Sequence, residues 1–134
     1  MSTIKSSYLG ELRTKSVHIA SQDTIISDAP LDNNGRGEAF SPTDTVAGAL
    51  GSCMVTIMGI IARREGQDME GLSWEVTKAM QSNPRKIAEI IIEFNWDQPF
   101  EDEKLIKKMK NGAKTCPVAL SLHPDIKQTV IFNF

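Results

Sequence analysis

The chain has 134 residues, the length of one domain, and a net charge of −2, which argues against an acidic tail or a nucleic-acid partner. Its hydrophobic share of 40% can supply a core, and two distant cysteines do not make a disulfide scaffold. We therefore expect a single domain over residues 1–134. The polar N-terminus lacks the apolar run of a signal peptide, so we also expect a cytoplasmic location.

Three short strands are predicted before residue 28. Residues 4–10 and 13–20 alternate as strands do, and residues 24–27 form a third short strand. Arg13 lies between the first two, a position that most often holds an exposed strand residue. Residues 28–40 are rich in Pro, Gly, Asn and Asp and predict a loop. A loop of this length before a buried helix often belongs to a functional site.

One long helix is predicted over residues 41–66. Ser41 and Asp44 form an S-x-x-D capping box, Pro42 suits the first helical position, and Gly66 is placed to end the helix. Gly59 interrupts its apolar part and charged residues follow, so we expect no membrane span. Apolar residues at steps of three and four predict its inward face: Val46, Leu50, Cys53, Met54, Ile57, Met58 and Ile61.

Small residues lie just before Cys53 in this helix. Glycine in a helix costs about 1 kcal/mol relative to alanine, so a compensating contact is needed at Gly48 and Gly51. We expect the close approach of another backbone.

The second half of the chain predicts a hairpin, two helices and a last strand. Residues 72–80 and 88–96 alternate with period two, and residues 128–134 form the final strand. Residues 101–111 predict a surface helix ended by Gly112, and Thr115 can cap a short helix with Cys116 in its first turn. The inner face of the second hairpin strand should hold Ala88, Ile90, Ile92, Phe94 and Trp96. This order indicates an α+β fold with antiparallel sheet.

The chemistry available to the sequence is that of its thiols, because the cysteines and histidines lack metal-ligand spacing. Cys53 lies too far along its helix to gain from the dipole and would need a cationic partner, preferably arginine. Cys116 lies in a first turn, where the dipole favours a thiolate. Both could equally be buried core cysteines, and the capping box alone explains Asp44.

Two segments resemble the OsmC/Ohr family of organic hydroperoxide reductases. They are S-P-T-D-T-V-A-G-A-L-G-S-C, residues 41–53, and T-C-P-V-A-L-S-L, residues 115–122. The resemblance implies a thiol peroxidase without a cofactor, in which Cys53 attacks an organic hydroperoxide and becomes a sulfenic acid. Cys116 would resolve it to a disulfide, which an external dithiol would reduce. It also implies an intertwined homodimer whose antiparallel sheets wrap around long central helices.

The resemblance implies an arginine and an acid beside the thiolate. Arg13, in the segment E-L-R-T-K, matches the arginine by position, and Arg36 is the fallback. The family's acid is a glutamate directly after the proline; Thr43 occupies that place here, and Asp44 follows one residue later. One residue along a helix is about 100° of rotation, and aspartate is shorter than glutamate. Asp44 is therefore the expected acid, at a shifted position.

A second function also fits the sequence. The same dimeric fold could bind a small apolar or acyl ligand without catalysis, with its thiols merely redox-sensitive. In that case Cys53 would have ordinary thiol reactivity, and no arginine would be near it.

Overall fold

The structure is a computed structural model that describes all residues from Met1 to Phe134. The chain forms two compact units, Met1–Val46 (unit 1) and Ala47–Phe134 (unit 2). Their boundary falls inside the long helix and not in a linker. The division does not test the number of domains, so the single domain stays a prediction.

Unit 1 contains an antiparallel sheet of three strands in the order β1-β2-β3. The strands are β1 (Ile4–Gly10), β2 (Arg13–His18) and β3 (Thr24–Asp28), close to the predicted ranges. Glu11 and Leu12 join the first two, and both have positive φ (52° and 63°), as a two-residue type I′ hairpin turn requires. The hairpin therefore fixes the position of Arg13 at the start of β2.

Much of the apolar surface of unit 1 is exposed. An exposed sheet of this kind is unusual in an isolated chain, because burial of such side chains is the main favourable term in folding. The large exposed apolar residues of the unit are Met1, Ile4, Tyr8, Leu9, Leu12, Ile19, Ile25, Ile26, Leu31, Phe40 and Val46.

The long helix, α1 (Pro42–Arg64), begins and ends as predicted. Ser41 Oγ accepts a hydrogen bond from the Asp44 N–H (3.1 Å), and the Asp44 carboxylate accepts one from the Ser41 N–H (2.9 Å). At the other end Gly66 has φ +71°, and the bonds from Gly66 N to Arg63 O and from Gln67 N to Ala62 O form a Schellman motif. The capping box is thus confirmed.

The buried stripe of α1 differs in part from the prediction. Leu50, Met54 and Met58 are fully buried, but Val46 is 40% exposed and Ala47 is buried in its place. The stripe continues through Gly51 and Ala62, so the inward face is centred about one residue further along the chain. By length and composition alone α1 could cross a membrane, a test that the core helix of a globular protein also passes.

Unit 2 contains a mixed sheet in the order β4-β5-β6. Strands β4 (Ser73–Gln81) and β5 (Lys86–Asn95) form the predicted antiparallel hairpin. Strand β6 (Lys127–Asn133) pairs with β5 in parallel, so the prediction of antiparallel sheet is wrong for this strand. The helices α2 (Glu103–Lys114) and α3 (Pro117–Ser121) provide the long crossover that a parallel pair needs. The α+β class is confirmed.

Two predicted details of unit 2 are wrong for packing reasons. Ile87, and not Ala88, is buried on the inner face of β5, because the hairpin register shifts between Ala79 and Met80. Gly112 lies inside α2 and does not end it. A Cβ on Gly112 would lie 2.5 Å from Cδ1 of Ile61, so glycine here allows α2 to pack closely on α1.

Gly51 faces a side chain and not the backbone that was predicted. A Cβ at this position would lie 2.7 Å from Nε1 and 3.0 Å from Cδ1 of the Trp74 indole. A Cβ on Gly48, one turn earlier, would meet nothing within 4 Å. The indole of Trp74, in β4, therefore explains the glycine at position 51.

Gly51→Ala should lower the free energy of unfolding by about 1 kcal/mol. Overpacking against the indole costs about 1–3 kcal/mol, and the better helix propensity of alanine returns about 1 kcal/mol. Gly48→Ala, the matched control, should raise stability by about 0.5–1 kcal/mol. Urea unfolding measures both, and a Gly51→Ala variant as stable as Gly48→Ala would contradict the packing argument.

Candidate active site

Cys116 is the N-cap residue of α3. Its backbone is extended (φ −65°, ψ 155°), Pro117 follows in the first turn, and Cys116 Sγ accepts a hydrogen bond from the Ala119 N–H at 3.4 Å. Thr115 is the C-cap of α2, so the prediction that it caps the short helix is wrong. The side chain of Cys116 is fully buried.

Burial raises the pKa of the Cys116 thiol. The N–H groups of Ala119 and Val118 act in the opposite direction, but desolvation is the largest effect. A hydrogen bond to Cys53 and the charge on Cys53 raise the pKa further. The predicted preference for a thiolate at the helix start is therefore wrong in this protein. Desolvation of the buried thiol outweighs the stabilisation of a thiolate by the N–H groups at the start of α3.

The two thiols share one site in unit 2. Both cysteines are free, and Cys53 of α1 is near enough to Cys116 to affect the pKa of its thiol. Cys53 is half-buried and packs against the apolar cluster that includes Cys116. Reagents can therefore reach Cys53 more easily than Cys116.

Arg13 belongs to an ion-pair cluster in unit 1. Its Nε donates to Asp28 Oδ1 at 2.7 Å, and its Nη2 donates to Asp28 Oδ2 at 2.8 Å and to Glu38 at 3.1 Å. Arg13 and Asp28 are direct cross-strand partners in the β2–β3 pair. The guanidinium of Arg13 is therefore held in a fork on the buried carboxylate of Asp28.

The electrostatics of this cluster favour both charges. The Arg13 hydrogen bond is the main cause that holds the pKa of Asp28 below its ordinary value, and the N–H groups of Glu38 and Ala39 add to it. Burial of the carboxyl acts against them. In turn, the hydrogen bond that Arg13 donates to Asp28 raises the pKa of Arg13. Asp28 is thus an ionised carboxylate in spite of its burial.

The other two predicted polar residues lie elsewhere in unit 1. The Asp44 carboxylate accepts from the Ser41 N–H in the capping box, and Arg36, the fallback arginine, pairs with Glu11. Arg13 is held by Asp28 and Glu38. The catalytic roles of Cys53, Cys116, Arg13 and Asp44 stay predictions.

Sequence reasoning missed Asp28 and Glu38. Both fall in the segment that was interpreted as a loop, where acids are common. The sequence held only a weak signal for Asp28, which directly follows the third predicted strand. Counting outward from the predicted turn over residues 21–23 pairs residue 28 with Ser16, and only the structure pairs it with Arg13. Glu38 has no such signal, because its position depends on the path of the loop after Gly35 and Gly37.

The chain belongs to the OsmC-like family. The family model described as OsmC-like protein matches residues 35–130, which confirms the resemblance. A structure from Psychrobacter arcticus 273-4, provisionally named as an osmotic stress induced and detoxification response protein, is 50% identical with a TM-score of 0.94. That match covers 99% of this chain and 96% of the other.

More distant structures share the fold. An OsmC-like protein from Mycoplasma pneumoniae is 20% identical with a TM-score of 0.77, covering 97% of this chain and 94% of the other. An organic hydroperoxide resistance protein OsmC from Legionella pneumophila is 13% identical with a TM-score of 0.75, covering 100% of this chain and 98% of the other. No curated protein matches the chain.

Acid should remove the stabilisation that Asp28 provides. Because the folded state lowers the pKa of Asp28, this contribution is complete above the unfolded value of ~3.9 and is lost as the pH falls through the lower folded value. The stability difference between wild type and Asp28→Asn should be constant from pH 7 to about pH 5 and should shrink below pH ~4.

Unfolding in urea at several pH values measures this difference. Glu38→Gln is the control, because its exposed ion pair contributes only about 0–1 kcal/mol at any pH. A difference for Asp28→Asn that persists unchanged at the lowest pH would contradict the assignment of Asp28 as an ionised, paired carboxylate.

Alkylation at pH 8 should modify Cys53 and spare Cys116. Cys53 is half-buried, whereas Cys116 is fully buried and its pKa is raised. Iodoacetamide labelling with peptide mapping measures each site, and unfolding in urea should make both reactive. In Cys53→Ser the Cys116 thiol should stay protected; rapid labelling there would show that Cys53, and not burial, shields it.

Proposed function

We propose that this protein reduces organic hydroperoxides with its two cysteines. The observation that carries the proposal is the pairing of an accessible thiol, Cys53, with a buried thiol, Cys116, in one site. Once Cys53 is oxidised, Cys116 would supply the second sulfur of a disulfide. The Legionella pneumophila protein, which shares the fold, is named for resistance to organic hydroperoxides, and this supports the proposed substrate class.

The first step consumes the peroxide. The Cys53 thiolate attacks the outer oxygen of R–O–O–H, the O–O bond breaks, and the alkoxide leaves as the alcohol after it takes up a proton. Sulfur is oxidised to the sulfenic acid Cys53–S–OH, and the peroxide is reduced by two electrons. The apolar cluster around Cys53 favours peroxides with an alkyl or aryl group.

The second step regenerates the site. Cys116 attacks the Cys53 sulfur, a disulfide forms, and the hydroxyl leaves as water with the proton that Cys116 gives up. The raised pKa of Cys116 suits this order, because the buried thiol stays protonated until Cys53 has been oxidised. An external dithiol then reduces the disulfide by exchange and is itself oxidised.

Arg13 is the residue that we assign to the Cys53 thiolate, from the same chain or from a partner. Its hydrogen bonds to Asp28 and Glu38 use Nε and Nη2, so both N–H groups of Nη1 remain for an anion. A guanidinium keeps its charge at any working pH and so stabilises a thiolate without titrating.

A second copy of the chain is the partner that we propose. The exposed apolar side chains of unit 1 and an exposed, mostly small stripe on α1 (Ala49, Ser52, Thr56 and Ile60) supply surface that a homodimer would bury. The free thiols fit a reducing cytoplasmic setting. Sedimentation equilibrium tests the homodimer directly.

The wild type should reduce cumene hydroperoxide with dithiothreitol present, and Cys53→Ser should fall to the uncatalysed background, because the attacking sulfur is gone. Cys116→Ser should still consume one equivalent of peroxide without dithiol. Its mass should then rise by one oxygen, while the wild type should lose two hydrogens. Stopped-flow kinetics and intact mass spectrometry measure these outcomes.

The same experiment separates catalysis from simple ligand binding. A wild type without turnover, or a Cys53→Ser variant with full turnover, would reject the peroxidase and favour a non-enzymatic binder of a small apolar or acyl ligand. Cys116→Ser also serves as the matched control for the loss of a thiol, since it removes the same group from the same site.

A further inference from the structure

We propose that Asp28 is the positioning residue for Arg13, in the role that the family resemblance gives to an acid at the start of the cysteine helix. The inference rests on the proposed function in one respect, that Arg13 serves the Cys53 thiolate. It concerns a carboxylate outside residues 35–130, the part of the chain that the family model matches. Asp28 does not touch the substrate in this scheme and acts only through the guanidinium.

The geometry of the pair is that of a fixed fork. Two parallel bonds of 2.7 and 2.8 Å join Nε and Nη2 of Arg13 to the two oxygens of Asp28. The Glu38 N–H donates to Asp28 Oδ2 at 3.1 Å, which orients the carboxylate in turn. Such a bidentate pair fixes the plane of the guanidinium as well as its position.

The backbone around Asp28 is held on both sides. The Asp28 N–H donates to Phe40 O, and the Ala29 N–H donates to Leu12 O next to Arg13. These bonds close the loop of residues 29–40 back onto the β2–β3 pair. Gly35 is required there, because a Cβ would lie 1.7 Å from Ala29 O. The carboxylate therefore sits on a rigid support, as a positioning group needs.

Glu38 alone cannot position the guanidinium in the same way. Its side chain is 65% exposed and makes a single bond of 3.1 Å to Arg13, whereas the side chain of Asp28 is fully buried. An exposed single-bond pair is weak and leaves the arginine free to rotate. Removing Asp28 should thus release Arg13 from its orientation even though Glu38 remains.

Asp44 has a structural task of its own. It completes the capping box of α1 with Ser41, which is buried. The two bonds satisfy donors at the start of a helix of 23 residues. The acid at the helix start thus stabilises α1, and Asp28 orients the arginine.

Asp28→Asn should slow the alkylation of Cys53 at pH 7 about tenfold, as expected when a thiolate loses one oriented cation. The direction of the change in alkylation rate is diagnostic. Loss of the Asp28 charge by itself would favour the thiolate and speed alkylation, so slowing reports displaced Arg13. In an Arg13→Ala background Asp28→Asn should cause no further slowing. For peroxide reduction, kcat/KM should fall about 100-fold, the effect of a misplacement of about 1 Å.

Asp23→Asn is the matched control, because it removes the same charge at the opposite end of β3 from Asp28. Asp44→Asn tests the rival acid and should slow the alkylation of Cys53 less than Asp28→Asn does. An equal or larger effect of Asp44→Asn, an Asp28→Asn variant with the wild-type rate, or slowing that persists without Arg13 would overturn the proposal.

Arg13→Lys keeps the inference testable if Asp28→Asn does not fold. Lysine retains the charge but cannot form the bidentate pair, so Cys53 in Arg13→Lys should be alkylated as slowly as in Arg13→Ala. Alkylation of Cys53 at the wild-type rate in Arg13→Lys would overturn the proposal. The alkylation rates do not depend on turnover. A wild type that reduces no peroxide would therefore reject the peroxidase, while the alkylation comparison would still decide the role of Asp28.

Discussion

The packing of α1 against β5 and α2 is the contact on which unit 2 depends. Leu50, Met54 and Met58 are fully buried in this cluster, and burial of each side chain stabilises the fold by about 1.5–3 kcal/mol. Gly112 lets α2 come close enough to touch Ile61 of α1. Since α2 leads directly into the N-cap of α3, this close contact also helps to position Cys116.

Two buried titratable groups show why burial alone does not decide ionisation. Asp28 and Cys116 are almost equally inaccessible, yet the pKa of Asp28 is lowered and that of Cys116 is raised. Asp28 faces a bidentate cation that outweighs its desolvation. Cys116 has only backbone N–H groups at the start of a helix of five residues, and these do not outweigh it.

The two units hold different kinds of buried polar group. Unit 1 holds a permanent positive charge in a fixed orientation on a sheet hairpin, and unit 2 holds two thiols of different exposure. In the proposed reaction, the attacking thiol would need access and a cation, whereas the resolving thiol would need only proximity and protection until it is used.

The sequence by itself determined the elements with strong local signals. The capping box of Ser41 and Asp44, the glycine that ends α1 and the hairpin of β4 and β5 follow from hydrogen bonds and periodicity among nearby residues. Family membership also followed, from the two cysteine segments. Only the tertiary structure decided the parallel pairing of β6, the helix that continues through Gly112 and the raised pKa of Cys116. It alone showed that Asp28 holds Arg13. These features depend on which groups remote in sequence share a desolvated space, and a local pattern of residues does not contain that information.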